Sequence, residues 1–271
     1  MSRIETGKLT TLSNSDGHAW SAPRSMHGTT ILKVLDEIYT AMERANIHLE
    51  MIHPESSTGQ FEFVLPPYSP LVAADTVLHA REIITAICAN HEIRATLYPK
   101  PFPQMAGTAS HVHMSISSPG GDKSETYEPF WAGVLKHMKS IIAFTYSNPC
   151  SYDRMGDGCW AGGTWVAWGT QNKETALRKI VDSHFEIKVM DGLANVYLAL
   201  AAVITSGMLG IEEKEKLVLG DCEKDPGLLN DLERKALNIQ DRLPQVRIPF
   251  KVVLHILDFS PDLSLTPGCV L

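Results

Sequence analysis

The residues of this chain with the most chemical content lie in three short alternating stretches. His111-Val112-His113-Met114-Ser115-Ile116 alternates polar and apolar residues strictly, which is the period of a half-buried β-strand. His111, His113 and Ser115 then share one face, and Val112, Met114 and Ile116 share the other. His184-Phe185-Glu186-Ile187-Lys188-Val189 repeats the design, with His184, Glu186 and Lys188 on one face. Gln60-Phe61-Glu62-Phe63-Val64 puts Glu62 on the face opposite Phe61 and Phe63, and Glu55 stands just upstream in the turn Pro54 to Gly59. Carboxylates joined by an imidazole form a hard, mostly oxygen site suited to Mg²⁺ or Mn²⁺. Arg154, Lys173, Arg178 and Lys188 add positive charge downstream, and arginine can grip a carboxylate or phosphate with two parallel N–H bonds. Divalent cations on carboxylates, together with several fixed cations, are what phosphoryl transfer requires, because positioning and charge neutralisation do most of that catalysis.

Each piece has a plainer meaning when taken alone. A glutamate on a strand is usually solvated, an arginine such as Arg154 usually makes a surface ion pair, and Trp160 in a glycine-rich loop usually packs. An H-x-H strand also occurs in zinc hydrolases, which would need a third His or a Cys as ligand. Three strands repeating the same polar face favour one shared site.

The elements that must position these residues alternate along the chain. Residues 1–28 are polar and aperiodic and read as a lead-in loop. Apolar residues at Ile31, Leu35, Ile38 and Met42 predict an amphipathic helix over 29–47, followed by a strand over 48–53. A second helix is expected over 71–90, a strand over 95–98, and a third helix over 129–146 that opens at Pro129. A loop holding Arg154, Trp160 and four glycines follows, and then a possible strand over 165–168. The helix over 195–211 is apolar, and the acidic segment after it reads as helical to about Asn238. Two distinct faces on each strand fit an antiparallel sheet with one face on the core. The fold class expected is therefore α+β, with an antiparallel sheet forming a cleft flanked by helices.

Bulk properties narrow the function. The net charge of −7, without a Lys/Arg cluster, argues against nucleic acid as a partner. Five scattered cysteines without C-x-x-C spacing read as reduced intracellular thiols. The start lacks an apolar signal region, and the apolar run Val196 to Ile211 is broken by Thr205, Ser206 and two glycines, too short for a membrane span. The expectation is a cytoplasmic protein with no membrane partner.

Several of these stretches form longer motifs. Glu55-Ser-Ser-Thr-Gly-Gln-Phe-Glu62 resembles the E-x(4)-GQ-x-E metal motif of glutamine synthetases, and Gly107-Thr-Ala-Ser-His111-Val-His113-Met-Ser115 resembles their GxxxHxHxS strand. Ser151-Tyr152-Asp153-Arg154, Asn172-Lys173 through Arg178, and His184-Phe-Glu186-Ile-Lys188 follow in that family's order. Asp191-Gly-Leu-Ala-Asn195-Val-Tyr197-Leu198 resembles its D-x-x-A-N-P-Y-L helix start. The wording of His53-Pro-Glu55 and Gly158-Cys-Trp-Ala-Gly-Gly-Thr-Trp165 is nearest to the fungal FluG-type branch, and the resemblance runs from about Gly17 to Leu243.

The resemblance implies a ligase that uses ATP as co-substrate and Mg²⁺ or Mn²⁺ as cofactor. Glutamate would be joined to ammonia or an amine through a γ-glutamyl phosphate. By position, Glu55 and Glu62 resemble ligands of a first metal, and His111 and Glu186 ligands of a second. His113, Ser115, Lys173 and Arg178 resemble nucleotide or phosphate contacts. Gly107, Arg154 and Lys188 fall where the amino-acid substrate is held, with Arg154 and Arg178 in catalytic positions. Homo-oligomeric rings are the family's habit.

This sequence also departs from the pattern. Residues 1–271 read as a single catalytic domain with a lead-in over 1–16 and an atypical tail over 244–271. The family's E-x-E strand and N-terminal β-grasp domain are absent from this stretch, which puts ring contacts and unaided activity in question. Lys173, His184 and Lys188 stand where arginines are usual, and Arg to Lys loses the planar fork. Ala106 replaces a substrate-binding Asn. Trp160 stands near the place of a Glu that helps deprotonate ammonium, so a bulkier amine is expected. The competing expectation is a catalytically impaired relative with a structural or developmental role.

Overall fold

The structure is a computed structural model that describes residues 29–246 and, as backbone, Ser2–Glu5 and Lys8–Thr11. The tail from 247 on, with the strand-like run Val252 to Leu257, lies outside the described residues. The chain sorts into two compact units, Met1–Leu97 with Phe102–Gly107, and Tyr98–Pro101 with Thr108–Leu271.

In the first unit, β1 (Ser2–Glu5) and β2 (Lys8–Thr11) pair antiparallel with Ile4 opposite Leu9. The expected lead-in loop therefore contains a hairpin. Ile4, Thr10 and Thr11 are β-branched and suit the extended backbone, a signal too short to register as periodicity. Helix α1 (Thr30–Arg44) buries Ile31, Val34, Leu35, Ile38 and Met42 at helical spacing. It ends at Ala45, and Asn46 follows in the left-handed region at φ 57°. The hairpin β3 (Met51–Pro54) and β4 (Phe61–Val64) is antiparallel. Helix α2 (Pro70–Asn90) begins on a proline, whose missing N–H costs nothing at the first helical position. Val34, Ile38 and Met42 form one core with Ala80, Ile87 and Cys88, and burying each large side chain stabilises by roughly 1.5–3 kcal/mol. The strand expected over 95–98 is not formed; only an isolated bridge residue, Arg94, precedes irregular chain.

In the second unit a four-stranded sheet runs in the order β5 (Val112–Met114), β8 (His184–Ile187), β7 (Leu177–Val181), β6 (Trp168–Thr170). Pairing is antiparallel except between β6 and β7, which are parallel, so the sheet is mixed rather than wholly antiparallel. Only six residues, 171 to 176, separate these two strands, and the turn through Asn172 and Thr175 carries the chain back alongside β6. Trp165 makes a single bridge to Arg242, and β6 begins three residues later than the expected strand.

Helix α3 spans Ser124–Thr145 and starts before Pro129, which lies inside it. Helix α4 spans Val196–Glu212 and is capped by the Asn195 side chain accepting from the Leu198 amide. The two helices pack closely through glycines: a Cβ on Gly133 would lie 2.3 Å from the Ser206 carbonyl oxygen. The acidic stretch after α4 holds only one short helix, α5 (Asp231–Ala236), with a capping box between Asn230 and Glu233. Core residues Phe130, Trp131, Leu135, Met138, Leu177, Phe185 and Ile187 fill the space behind the sheet. Among the described residues, no helix is long and apolar enough to cross a membrane.

Candidate active site

The first unit builds its polar group on the β3–β4 hairpin. The register sets His53 opposite Glu62, and residues directly opposite on antiparallel strands point to the same face. Glu55 follows β3 at the start of the turn. That turn is closed by the Glu55 amide donating to the Gln60 carbonyl at 2.9 Å and the Gln60 amide donating to the Ser57 carbonyl at 3.0 Å. Gly59 occupies φ 74°, where a side chain would be strained. The Gln60 side chain accepts from the Ser57 amide at 3.0 Å and donates to the Gly107 carbonyl at 3.0 Å, and Ser57 Oγ donates to the Ala106 carbonyl at 2.6 Å. One side chain thus links the metal-motif turn to Gly107.

His53 Nδ1 lies 3.7 Å from Glu55 Oε1, and His53 Nε2 lies 3.7 Å from Glu62 Oε2. Among the described residues these are the only three or more His, Cys, Asp or Glu whose donor atoms all lie within 4.8 Å of one another. Two carboxylates and an imidazole fit a divalent ion such as Mg²⁺ or Mn²⁺. His53 is absent from the ligand set expected from sequence. Its signal was the hairpin itself, since only the cross-strand register makes it a neighbour of Glu62.

The second unit builds its group on the sheet face away from the core. Across β5, β8 and β7 the register aligns His113, Glu186 and Arg178 in one row. The rows beside it, Val112–Ile187–Leu177 and Met114–Phe185, turn to the core. Glu186 is 3% exposed. Its Oε1 lies 2.9 Å from His111 Nδ1 and accepts from Lys188 Nζ at 3.2 Å, while Oε2 accepts from Arg178 at 3.0 Å. Arg178 also donates to Gln171 Oε1 at 2.7 Å. Lys188 is as buried as Glu186. Arg154 ends a 3₁₀ turn (Pro149–Arg154), is 2% exposed, and donates to the Tyr146 hydroxyl and, at 3.2 Å, to the Lys188 carbonyl.

Burial opposes ionisation of Glu186, but the His111 hydrogen bond and the charge of Lys188 outweigh it and hold this carboxyl well below the usual range. His111 is lowered to about 4, first by burial and then by the charges of Lys188 and Arg154, with Glu186 opposing. Its Nε2 is enclosed without a partner, as are the Nε atoms of Arg154 and Arg178. Burial also lowers Lys188 against the pull of Glu186. One buried carboxylate therefore faces Lys188 and Arg178, a positive excess suited to phosphate or carboxylate oxygens.

The remaining expected residues are placed less centrally. His113 is exposed and pairs with His184. Ser115 is exposed just beyond β5, and Lys173 is exposed in the turn between β6 and β7. Trp160 is 44% exposed at φ 55°. Its backbone N–H and that of Gly158 donate to Glu174 at 2.8 and 3.1 Å, so Glu174, which carried no signal in the sequence, anchors this loop. Burial pushes the Glu174 carboxyl up, against those backbone hydrogen bonds.

Residues 10–246 match the family model described as glutamine synthetase, catalytic domain. The chain is 47% identical over 227 residues to protein fluG of Emericella nidulans, covering 84% of this chain and 26% of that protein. It is 32% identical over 245 residues to gamma-glutamylpolyamine synthetase GlnA3 of Streptomyces coelicolor, covering 83% of this chain and 51% of that one. The chain thus spans about a quarter of the first relative and half of the second. In fold it matches a solved GmaS/ADP complex with a TM-score of 0.76 at 23% identity, over 90% of this chain and 58% of that one.

Proposed function

The chain belongs to the glutamine synthetase family, and from that premise we propose that it forms a γ-glutamyl amide from glutamate and an amine with ATP. The observation that carries this reading is the buried Glu186 carboxylate, outnumbered by Lys188 and Arg178, which hold its two oxygens. A γ-carboxylate oxygen of glutamate attacks the terminal phosphorus of ATP, forming γ-glutamyl phosphate and releasing ADP. The amine nitrogen then attacks the acyl carbon, the C–O bond to phosphate breaks, and a proton leaves the nitrogen. Arg154 and Lys188 orient the amino acid, and Arg178, His113, Ser115 and Lys173 bind phosphate oxygens as charge shifts between them. His53, Glu55 and Glu62, and His111 with Glu186, would hold divalent ions, whose chemistry there would be to offset phosphate charge.

Trp160 supports an amine larger than ammonia. An exposed indole offers an apolar and cation-binding face to an alkylamine or polyamine, in keeping with the polyamine named for the Streptomyces relative. The test is ADP release with glutamate, Mg²⁺ or Mn²⁺, and in turn ammonia, methylamine and a polyamine. Amine-dependent ADP release is expected, fastest with the larger amines. Absence of turnover with every amine, by folded protein, overturns the enzyme reading. The alternative is then an impaired relative, which the engagement of both Glu186 oxygens by protein cations favours.

A further inference from the structure

Three carboxylates gather under the loop that carries Trp160. Glu174 accepts from the Gly158 and Trp160 amides at 3.1 and 2.8 Å. Asp157 accepts from the Thr164 amide at 2.9 Å, and a Cβ on Gly227 would lie 2.4 Å from Asp157 Cγ. Asp225 Oδ1 accepts from the Gly227 amide at 2.8 Å. Its other oxygen, Oδ2, is enclosed without a hydrogen-bond partner, on a residue only 9% exposed. Among the described residues, no lysine, arginine or histidine forms an ion pair with any of the three. Burial and then the charge of Asp225 push the Glu174 carboxyl up, so the two groups act on one another. An unpartnered buried carboxylate oxygen is costly, and a bound cation recovers that cost. Asp225 Oδ2 also faces an opening. Gly158 is exposed, and among the described residues outside its chain neighbours Asp225 Oδ2 is the one atom within 4 Å of where a Gly158 Cβ would stand, at 3.9 Å. The same loop touches the substrate row: a Cβ on Gly162 would lie 3.1 Å from Lys188 Cβ.

We propose that Asp225, with Glu174 and Asp157 beside it, forms a subsite for the distal ammonium of a diamine or polyamine whose reacting nitrogen lies at Trp160. The proposal rests on the ligase reading above, which puts the amine at Trp160, and it adds a second positive charge to what the amine must carry. A divalent ion fits these carboxylates poorly. Among the described residues, the only metal-ligating groups that converge within 4.8 Å in threes are those of the β3–β4 hairpin. Carboxylates that do not converge suit an extended cation, whose charges are likewise separated along a chain. The methylenes between those charges lie on the exposed Trp160 indole, and the distal ammonium donates to Asp225 Oδ2 in a charge-assisted hydrogen bond. Asp225 is thus a specificity-determining residue that selects a second ammonium and does not touch the reacting atoms.

The experiment compares three amines of matched chain length on the full chain: butylamine, N-acetylputrescine and putrescine, of which only putrescine carries a second ammonium. ADP release at saturating glutamate and ATP gives KM for each, and calorimetric titration without ATP gives binding directly. The wild type is expected to show a KM and a Kd for putrescine lower than for the other two by about tenfold or more, the scale of one hydrogen bond to a charged group. Asp225→Asn keeps an acceptor for the Gly227 amide and removes the charge, and it should bring putrescine to within about threefold of butylamine, because the charge-assisted bond is gone. Amine-dependent ADP release with equal KM values for the three amines overturns the subsite and leaves the ligase reading intact, and this comparison needs no variant. A putrescine preference that persists in folded Asp225→Asn likewise overturns it. Putrescine binding that Asp225→Asn weakens, with no ADP release from any amine, supports the subsite and overturns the ligase reading alone.

Discussion

His113 Nδ1 lies 2.8 Å from His184 Nε2, with ring centroids 5.0 Å apart at 65°. One nitrogen must hold a hydrogen and the other accept it, so the two rings cannot both present N–H groups along this line. Burial lowers both imidazoles, against the pull of Glu186. The pairing fixes the orientation of His113 beside the Glu186 row. His184→Ala should therefore weaken binding of a non-hydrolysable ATP analogue by roughly fivefold, the equivalent of about one net hydrogen bond. His184→Arg restores a forked cation and should bind at least as tightly as the wild type. Calorimetric titration of both variants is the measurement, and an unchanged Kd for His184→Ala would sink this role.

Gln60 ties two expected parts of the site together within the first unit. It accepts from the Ser57 amide and donates to the Gly107 carbonyl. Gln60→Ala should cost roughly 1–2 kcal/mol of stability through the loss of two hydrogen bonds. It should also weaken Mn²⁺ at His53, Glu55 and Glu62 by about tenfold, because Glu55 is aimed by the turn that Gln60 closes. Denaturant melts and Mn²⁺ titration check the two effects separately.

Glu174 and Trp160 predict opposite outcomes in the same loop. Glu174→Ala removes the acceptor for the Gly158 and Trp160 amides. Stability should fall by roughly 1–3 kcal/mol, and those amides should exchange hydrogen faster. Trp160→Gly relieves a left-handed backbone that a side chain disfavours by about 1–2 kcal/mol. It should fold at least as well as the wild type, yet raise KM for the amine with little change in KM for glutamate. Equal amine KM values in the wild type and Trp160→Gly would remove Trp160 from the amine site.

What the sequence revealed was local. Strict alternation in His111–Ile116 and His184–Val189 assigns the polar and core faces, and the register confirms which residues share a row. Helix α1 and helix α4 follow from apolar spacing to within a few residues. The misses are non-local. His53 is a neighbour of Glu62 only through the hairpin register. Strand β7 reads Leu-Arg-Lys-Ile-Val, and the irregular register between Lys179 and Val181 breaks its alternation. Pro129 suggested a helix start, but its lost N–H is tolerated well inside α3. The Glu186–Lys188 ion pair joins residues two apart on one face, so it was available from alternation. Its geometry, with His111 on the same oxygen, was not.

Tyr146 sets a pH limit beneath the site. It is fully buried, and its hydroxyl accepts from Arg154. Burial pushes its ionisation up to about 12, with the charge of Arg154 opposing. The sign follows from proton counting. In the unfolded chain the phenol ionises near its ordinary value of about 10. Between that value and the folded one, the unfolded state holds fewer protons, so stability falls as pH rises. The contribution is complete below pH 10 and is lost as pH climbs through the folded value. Tyr146→Phe removes the ionisable group but also deprives Arg154 of an acceptor, costing about 1–3 kcal/mol at pH 8. The stability gap between the wild type and Tyr146→Phe should then narrow by roughly 1–1.5 kcal/mol between pH 9 and pH 11. Guanidinium midpoints of both proteins across that interval give the measurement, and a constant gap would mean that Tyr146 ionises as readily folded as unfolded.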